Sequence, residues 1–101
     1  MDWLTIDELK KQLVIDDDFN DDNEYIEMLG ESAEDTVQSL VNDDLSILAS
    51  KNNGNLPSAI RHAMRMLVDY FYSTERGSAN SEKAIPDAVF TLLKLYRNYE
   101  N

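Results

Sequence analysis

Leu56-Pro57-Ser58-Ala59-Ile60-Arg61-His62-Ala63-Met64-Arg65-Met66-Leu67-Val68-Asp69-Tyr70-Phe71-Tyr72 sets the architecture. Ile60, Ala63, Met64, Leu67, Val68 and Phe71 recur at offsets of 0, 3, 4, 7, 8 and 11, one face of a helix with about 3.6 residues per turn. Ala59, Met66, Tyr70 and Tyr72 widen that face, leaving only Arg61, His62, Arg65 and Asp69 as a polar strip. So apolar a helix belongs at the centre. Its expected start is Pro57, since proline suits the first helical turn. Its expected end follows Glu75-Arg76 at Gly77, where a left-handed cap fits.

Moving toward the N-terminus, Lys51 to Asn55 reads as a loop, and Leu45-Ser46-Ile47-Leu48 fits either a last helical turn or a short strand. A long helix is expected from Asp21 or Asp22, with Tyr25/Ile26, Leu29, Ala33, Val37, Leu40 and Val41 on its core edge. Glu27, Glu31, Glu34 and Asp35 are expected in solvent. Gly30 costs about 1 kcal/mol relative to alanine inside a helix, which points to a close contact there. Before it, Thr5-Ile6-Asp7-Glu8 is a capping box opening a short helix with Ile6, Leu9 and Leu13 inward and Trp3-Leu4 as a staple. Val14-Ile15 is expected to tuck beneath an acidic loop from Asp16 to Asp22.

Moving toward the C-terminus, a polar loop from Ser78 to Ala84 leads to Ile85-Pro86 and a closing helix. Its buried edge reads Val89, Leu92, Leu93 and Tyr96, with Phe90 and Tyr99 pointing elsewhere. Strand signals are nearly absent. The expected fold is all-α: one domain over residues 1–101, a small helical assembly of one short and three longer helices.

Composition narrows the function. Twenty acidic residues against nine lysines and arginines leave a net charge of -11, which opposes sequence-independent binding to phosphate backbones. Residues 1–50 carry fifteen acids and two lysines, while residues 51–101 carry five acids and seven bases, so the molecule has an acidic and a mildly basic pole. With no cysteine there is neither a disulfide framework nor a thiolate metal site. No apolar run is long enough to span a bilayer and the N-terminus lacks a basic signal-peptide start, so the chain reads as soluble, with no membrane partner.

No catalytic, cofactor or metal site is expected. Asp16-x-Asp18-x-Asn20 with Glu27 has calcium-loop spacing, but Asp21 stands where the sharp turn of that loop demands glycine and Asn23 where it is apolar. His62 is the only histidine, and the three glycines are isolated, so neither an acyl-transfer triad nor a phosphate-cradling loop can be assembled. Tyr72, Phe90 and Tyr99 exceed what one small core absorbs, and with Tyr96 and Arg97 they suit a protein interface.

The order of these motifs resembles the phage head-tail connector (adaptor) family of long-tailed phages and prophages. The resemblance is carried by Thr5-Ile6-Asp7-Glu8-Leu9-Lys10, Leu13-Val14-Ile15-Asp16 and Tyr25-Ile26-x-x-Leu29-x-x-x-Ala33. It continues through Leu56-Pro57-x-Ala59-Ile60-x-x-Ala63-x-x-x-Leu67-Val68-x-x-Phe71-Tyr72 and Ile85-Pro86-x-Ala88-Val89-x-x-Leu92-Leu93-x-x-Tyr96-Arg97. It departs at Val14, where the family often has a basic residue, and in the segment Leu45 to Asn55.

The resemblance implies a non-enzymatic virion part, located at the head-tail junction and in the host cytoplasm during assembly. It implies a ring of copies of this chain, commonly twelve-fold, between the portal protein and the tail or head-closure proteins. DNA would pass through the ring without specific binding. On that reading some of Asp16, Asp17, Asp18, Asp21, Asp22, Asp43 and Asp44 face the channel, where negative charge keeps phosphates from sticking. Tyr72, Phe90, Tyr96, Arg97 and Tyr99 are the expected contacts to neighbouring copies or the portal. The competing class is an acidic DNA mimic that occupies the basic cleft of a host DNA-binding protein.

Overall fold

The computed structural model describes residues 1–16, 18, 20–75 and 85–97. Among the described residues there are five α-helices and no strand: α1 (Ile6–Gln12), α2 (Asn23–Val41), α3 (Leu45–Ser50), α4 (Ser58–Glu75) and α5 (Asp87–Leu93), the last running into a 3-10 turn at Lys94–Tyr96. The expected all-α class holds. The four helices read from the apolar spacing are α1, α2, α4 and α5, while the ambiguous Leu45–Leu48 stretch forms a separate helix. It separates because Asn42 adopts the left-handed conformation at the end of α2 (φ 56°, ψ 42°). Asp44 then caps a fresh start, its Oδ1 accepting the N–H of Ser46 at 2.9 Å. The closing helix is brief because its ladder tightens after Leu93. Gly77, Phe19 and the loop from Ser78 to Ala84 lie outside the described residues.

α2 and α4 form the central pair, with α1 against both and α5 chiefly against α4. The molecule measures 40 × 30 × 18 Å, its thin dimension about two helix diameters. Ile26, Leu29, Ala33, Val37 and Val41 of α2 interlock with Ile60, Ala63, Met64, Leu67 and Val68 of α4, all buried as the spacing predicts. Leu4, Leu9, Leu45, Leu48, Leu56, Val89 and Leu93 close the core around them. Each such side chain contributes about 1.5–3 kcal/mol when fully removed from water.

Pro57 and Pro86 sit one position earlier than expected. Each is the residue before its helix, Pro57 O accepting the N–H of Arg61 at 3.1 Å and Pro86 O that of Val89 at 3.0 Å. Thr5 caps α1 as expected, accepting Glu8 N–H at 3.2 Å. The second half of the capping box is diverted: the Glu8 carboxylate faces Arg61, whose Nη2 lies 3.0 Å from both oxygens. Asp22 occupies the position before α2, but its side chain makes no capping hydrogen bond.

Two expectations about single residues are corrected. Glu34 is buried, with 7% exposure, because its carboxylate accepts the N–H groups of Asp2, Trp3 and Leu4 at 3.1, 2.9 and 2.8 Å and pins the N-terminal segment to α2. Val14 does not tuck beneath the acidic loop; it is 90% exposed. α1 ends in a Schellman arrangement, with Ile15 N–H donating to Lys10 O at 2.8 Å and Val14 N–H to Lys11 O at 3.2 Å. That arrangement forces Val14 to φ 58°, a conformation disfavoured for a β-branched residue, and turns its side chain outward. Gly30 meets the close contact expected of it, from Leu9 of helix α1 together with Met1.

Candidate functional site

The acidic channel candidates fall into two groups at opposite ends of α2. Asp16, Asp18 and Asp21 are exposed and Asp22 half-buried in the loop before the helix. Asp43 and Asp44 follow the helix. Nineteen residues at about 1.5 Å each put the length of α2 between the two groups, just under 30 Å. The second group already has local work: Asp43 Oδ1 accepts Asp44 N–H at 2.8 Å, and Asp44 caps α3. Asp17 lies outside the described residues.

The first group is held from below by Lys10. This side chain has only 2% exposure, and its Nζ donates to Asn20 Oδ1 at 3.0 Å. Asn23 Nδ2 approaches the same oxygen at 3.2 Å. An ammonium therefore takes the amide oxygen that a calcium-type loop would offer to a cation, which physically separates this loop from such a site. Lys10 sits at an inward position of α1, following Ile6 by four residues, so a buried cation was available to sequence reasoning at an apolar register.

The aromatic and basic candidates divide as well. Phe90 is 45% exposed on α5 and forms, with Leu40, Leu93, Lys94 and Arg97, a groove of about 220 Å³. Leu95, in the 3-10 turn, is 88% exposed and was missed by the pattern of inward positions. Its absence from the Val89, Leu92, Leu93, Tyr96 edge was the signal. Tyr96 is half-buried against the core and Arg97 is exposed. Tyr72 does not line this groove: it is half-buried, with its ring 6.4 Å from that of Tyr25 at 45°. Tyr99 lies outside the described residues. His62 is exposed on the outer face of α4.

The arrangement presents surfaces. The apolar groove at the α5 end carries a basic rim, and the long helix separates two clusters of carboxylates. Among the described residues, no helix is long and apolar enough to cross a membrane. Comparison with curated proteins and with solved structures finds no match. The family model described as phage gp6-like head-tail connector protein matches residues 4–97, a span containing all five helices and the 3-10 turn. With that match running over nearly its whole length, the chain belongs to the phage gp6-like head-tail connector family.

Proposed function

We propose that this chain is a subunit of a ring adaptor, about twelve-fold, seated between the portal and the tail or head-closure proteins and continuing the channel through which DNA passes. The single observation that supports this most is the apolar surface left over at the α5 end. Phe90 stays in water on the wall of the Leu40–Leu93 groove and Leu95 in the 3-10 turn that follows, although the core of the subunit closes without them. Side chains of this kind are buried when copies or a portal pack against them. Phe90, Tyr96, Arg97 and, beyond the described residues, Tyr99 are the proposed contacts. Tyr72 is proposed as a contact through its exposed part alone, since the rest of its ring rests on Tyr25.

The loop of Asp16, Asp17, Asp18, Asp21 and Asp22 is proposed to face the channel, with Asp43 and Asp44 as a second acidic ring farther along it. Negative walls repel phosphates and let the genome slide. Negative-stain imaging of the chain mixed with purified portal tests the reading: annular particles with a central hole are expected. A lone subunit that ignores the portal yet binds a basic DNA-binding protein would replace the adaptor with the DNA mimic.

A further inference from the structure

The groove at the α5 end is not the largest on the molecule. Between α1 and α4 runs a second, open groove of about 550 Å³. Lys11, His62 and Arg65 line it, with Gln12, Met66 and Asp69. Gln12 fixes its width, its Nε2 donating across to Arg65 O at 2.6 Å. Glu8, also on the wall, is occupied by Arg61. Lys11 and Arg65 have no ion-pair partner among the described residues, although the chain carries eleven negative charges in excess. Two cations together with no ion-pair partner among the described residues, on so acidic a molecule, suit carboxylates from elsewhere.

A matching surface exists on the same chain. Glu24, Glu27, Glu31 and Asp35 are exposed on α2 at steps of three, four and four residues, so they form one outward stripe, with exposed Met28 between them. Glu31 lies 3.5 Å from the Met1 amino group; the other three carboxylates have no ion-pair partner among the described residues. α2 and α4 turn their apolar edges to each other, which leaves both charged faces on the outside of the pair. A subunit thus cannot bring its own stripe to its own groove.

Val14 adds an independent observation. With Lys11, Ile15 and Asp16 it lines an adjoining groove that shares Lys11 with the first, and it is exposed and in the left-handed conformation. Strain of this kind persists where the position has a task, and a projecting apolar side chain beside Lys11 suits a stripe with a methionine among its carboxylates.

We infer that the α1–α4 groove of one subunit receives the acidic outer face of α2 from a second copy of this chain. The contact is heterologous, so repeating it propagates from copy to copy, as a ring requires. This rests on the ring reading above and specifies which faces meet.

The test uses two charge-reversed full-length chains. One carries Lys11→Glu and Arg65→Glu; the other carries Glu27→Lys and Asp35→Lys. Like charges then face each other in each chain alone, and self-association measured by sedimentation at matched salt falls at least about tenfold. Mixed one to one, every groove finds an opposite stripe, and alternating rings return to within about threefold of wild type. Helical circular dichroism confirms that both chains are folded. If each reversed chain forms rings like wild type, the groove is not the contact and the inference falls, while the ring reading stands. If each fails alone and the mixture fails too, the two faces do not meet and the inference also falls. Duplex DNA captured by wild type and lost on Lys11→Glu with Arg65→Glu would assign the groove to phosphates and overturn it. A wild-type chain that forms no ring even with portal present removes the ring reading itself.

Discussion

Glu34, in the middle of α2, accepts the backbone N–H of Leu4 at 2.8 Å, thirty residues earlier in the chain. The same carboxylate takes Trp3 and Asp2, so three N–H groups with no helical partner end on one side chain. Leu4, buried beneath this clasp, is held in the core by it.

Glu34→Ala leaves those donors unpaired in a partly dry site. The expected cost is about 2–4 kcal/mol, which for a domain of this size lowers Tm by roughly 10–20 °C. Glu34→Gln keeps one acceptor and should lose about half as much. Thermal unfolding followed by circular dichroism decides; an unchanged Tm for Glu34→Ala would show that the clasp contributes nothing.

Val14 offers the opposite sign. Its left-handed backbone at the end of α1 suits glycine or asparagine, and Val14→Gly should stabilise the subunit by about 1 kcal/mol through released strain, net of added chain entropy. The same substitution removes the apolar projection beside Lys11, so self-association should weaken while Tm rises. A lower Tm would mean that the valine side chain packs where the structure leaves it in solvent.

Lys10→Met retains the buried stem and removes the ammonium that holds Asn20. Exchanging a buried ion for an apolar side chain is expected to leave global stability within about 1 kcal/mol. The acidic loop, however, loses its tether, and limited proteolysis at aspartates 16–22 should quicken several-fold. Equal cleavage rates in the two chains would place the loop's anchorage elsewhere.

Salt acts on assembly in two directions. In the proposed ring, copies of charge -11 would repel over long range, and screening relieves this as the Debye length drops from about 30 Å at 0.01 M to about 8 Å at 0.15 M. The short pairs proposed between the α1–α4 groove and a neighbouring α2 would weaken only as that length approaches about 3 Å near 1 M. Ring yield should rise and then fall across this range. A steady rise to 1 M would argue against the ion-paired contact, and a steady fall from the lowest salt against the repulsion.

Much of this molecule is written in its periodicity. The inward positions of α2 and α4 are read correctly because apolar residues repeat at helical steps and nothing competes with that pattern. Glu34 and Lys10 were harder: each stands at an inward register, eight residues after Ile26 and four after Ile6, but a charged side chain there is ordinarily solvated. Only tertiary structure supplies the N–H groups of residues 2–4 and the Asn20 amide that make burial tolerable. The boundary between α2 and α3 depends on one left-handed asparagine, and asparagine is common in many other conformations. The α1–α4 groove was hidden for a similar reason: Lys11 and Arg65 are 54 positions apart, and no local pattern announces that they share a wall.

Burial of the α5 end against a neighbouring copy or the portal is the centre of the account, and Phe90→Asp isolates it, since the ring of Phe90 is exposed and its loss leaves the core intact. Sedimentation velocity of wild type and Phe90→Asp, each with portal at about 0.15 M salt, is the most direct measurement. The account predicts that wild type migrates as one large complex with portal, while Phe90→Asp sediments apart from the portal with unchanged helical content. Wild type that remains an 11.6 kDa particle beside the portal, or Phe90→Asp that assembles as wild type does, would contradict it.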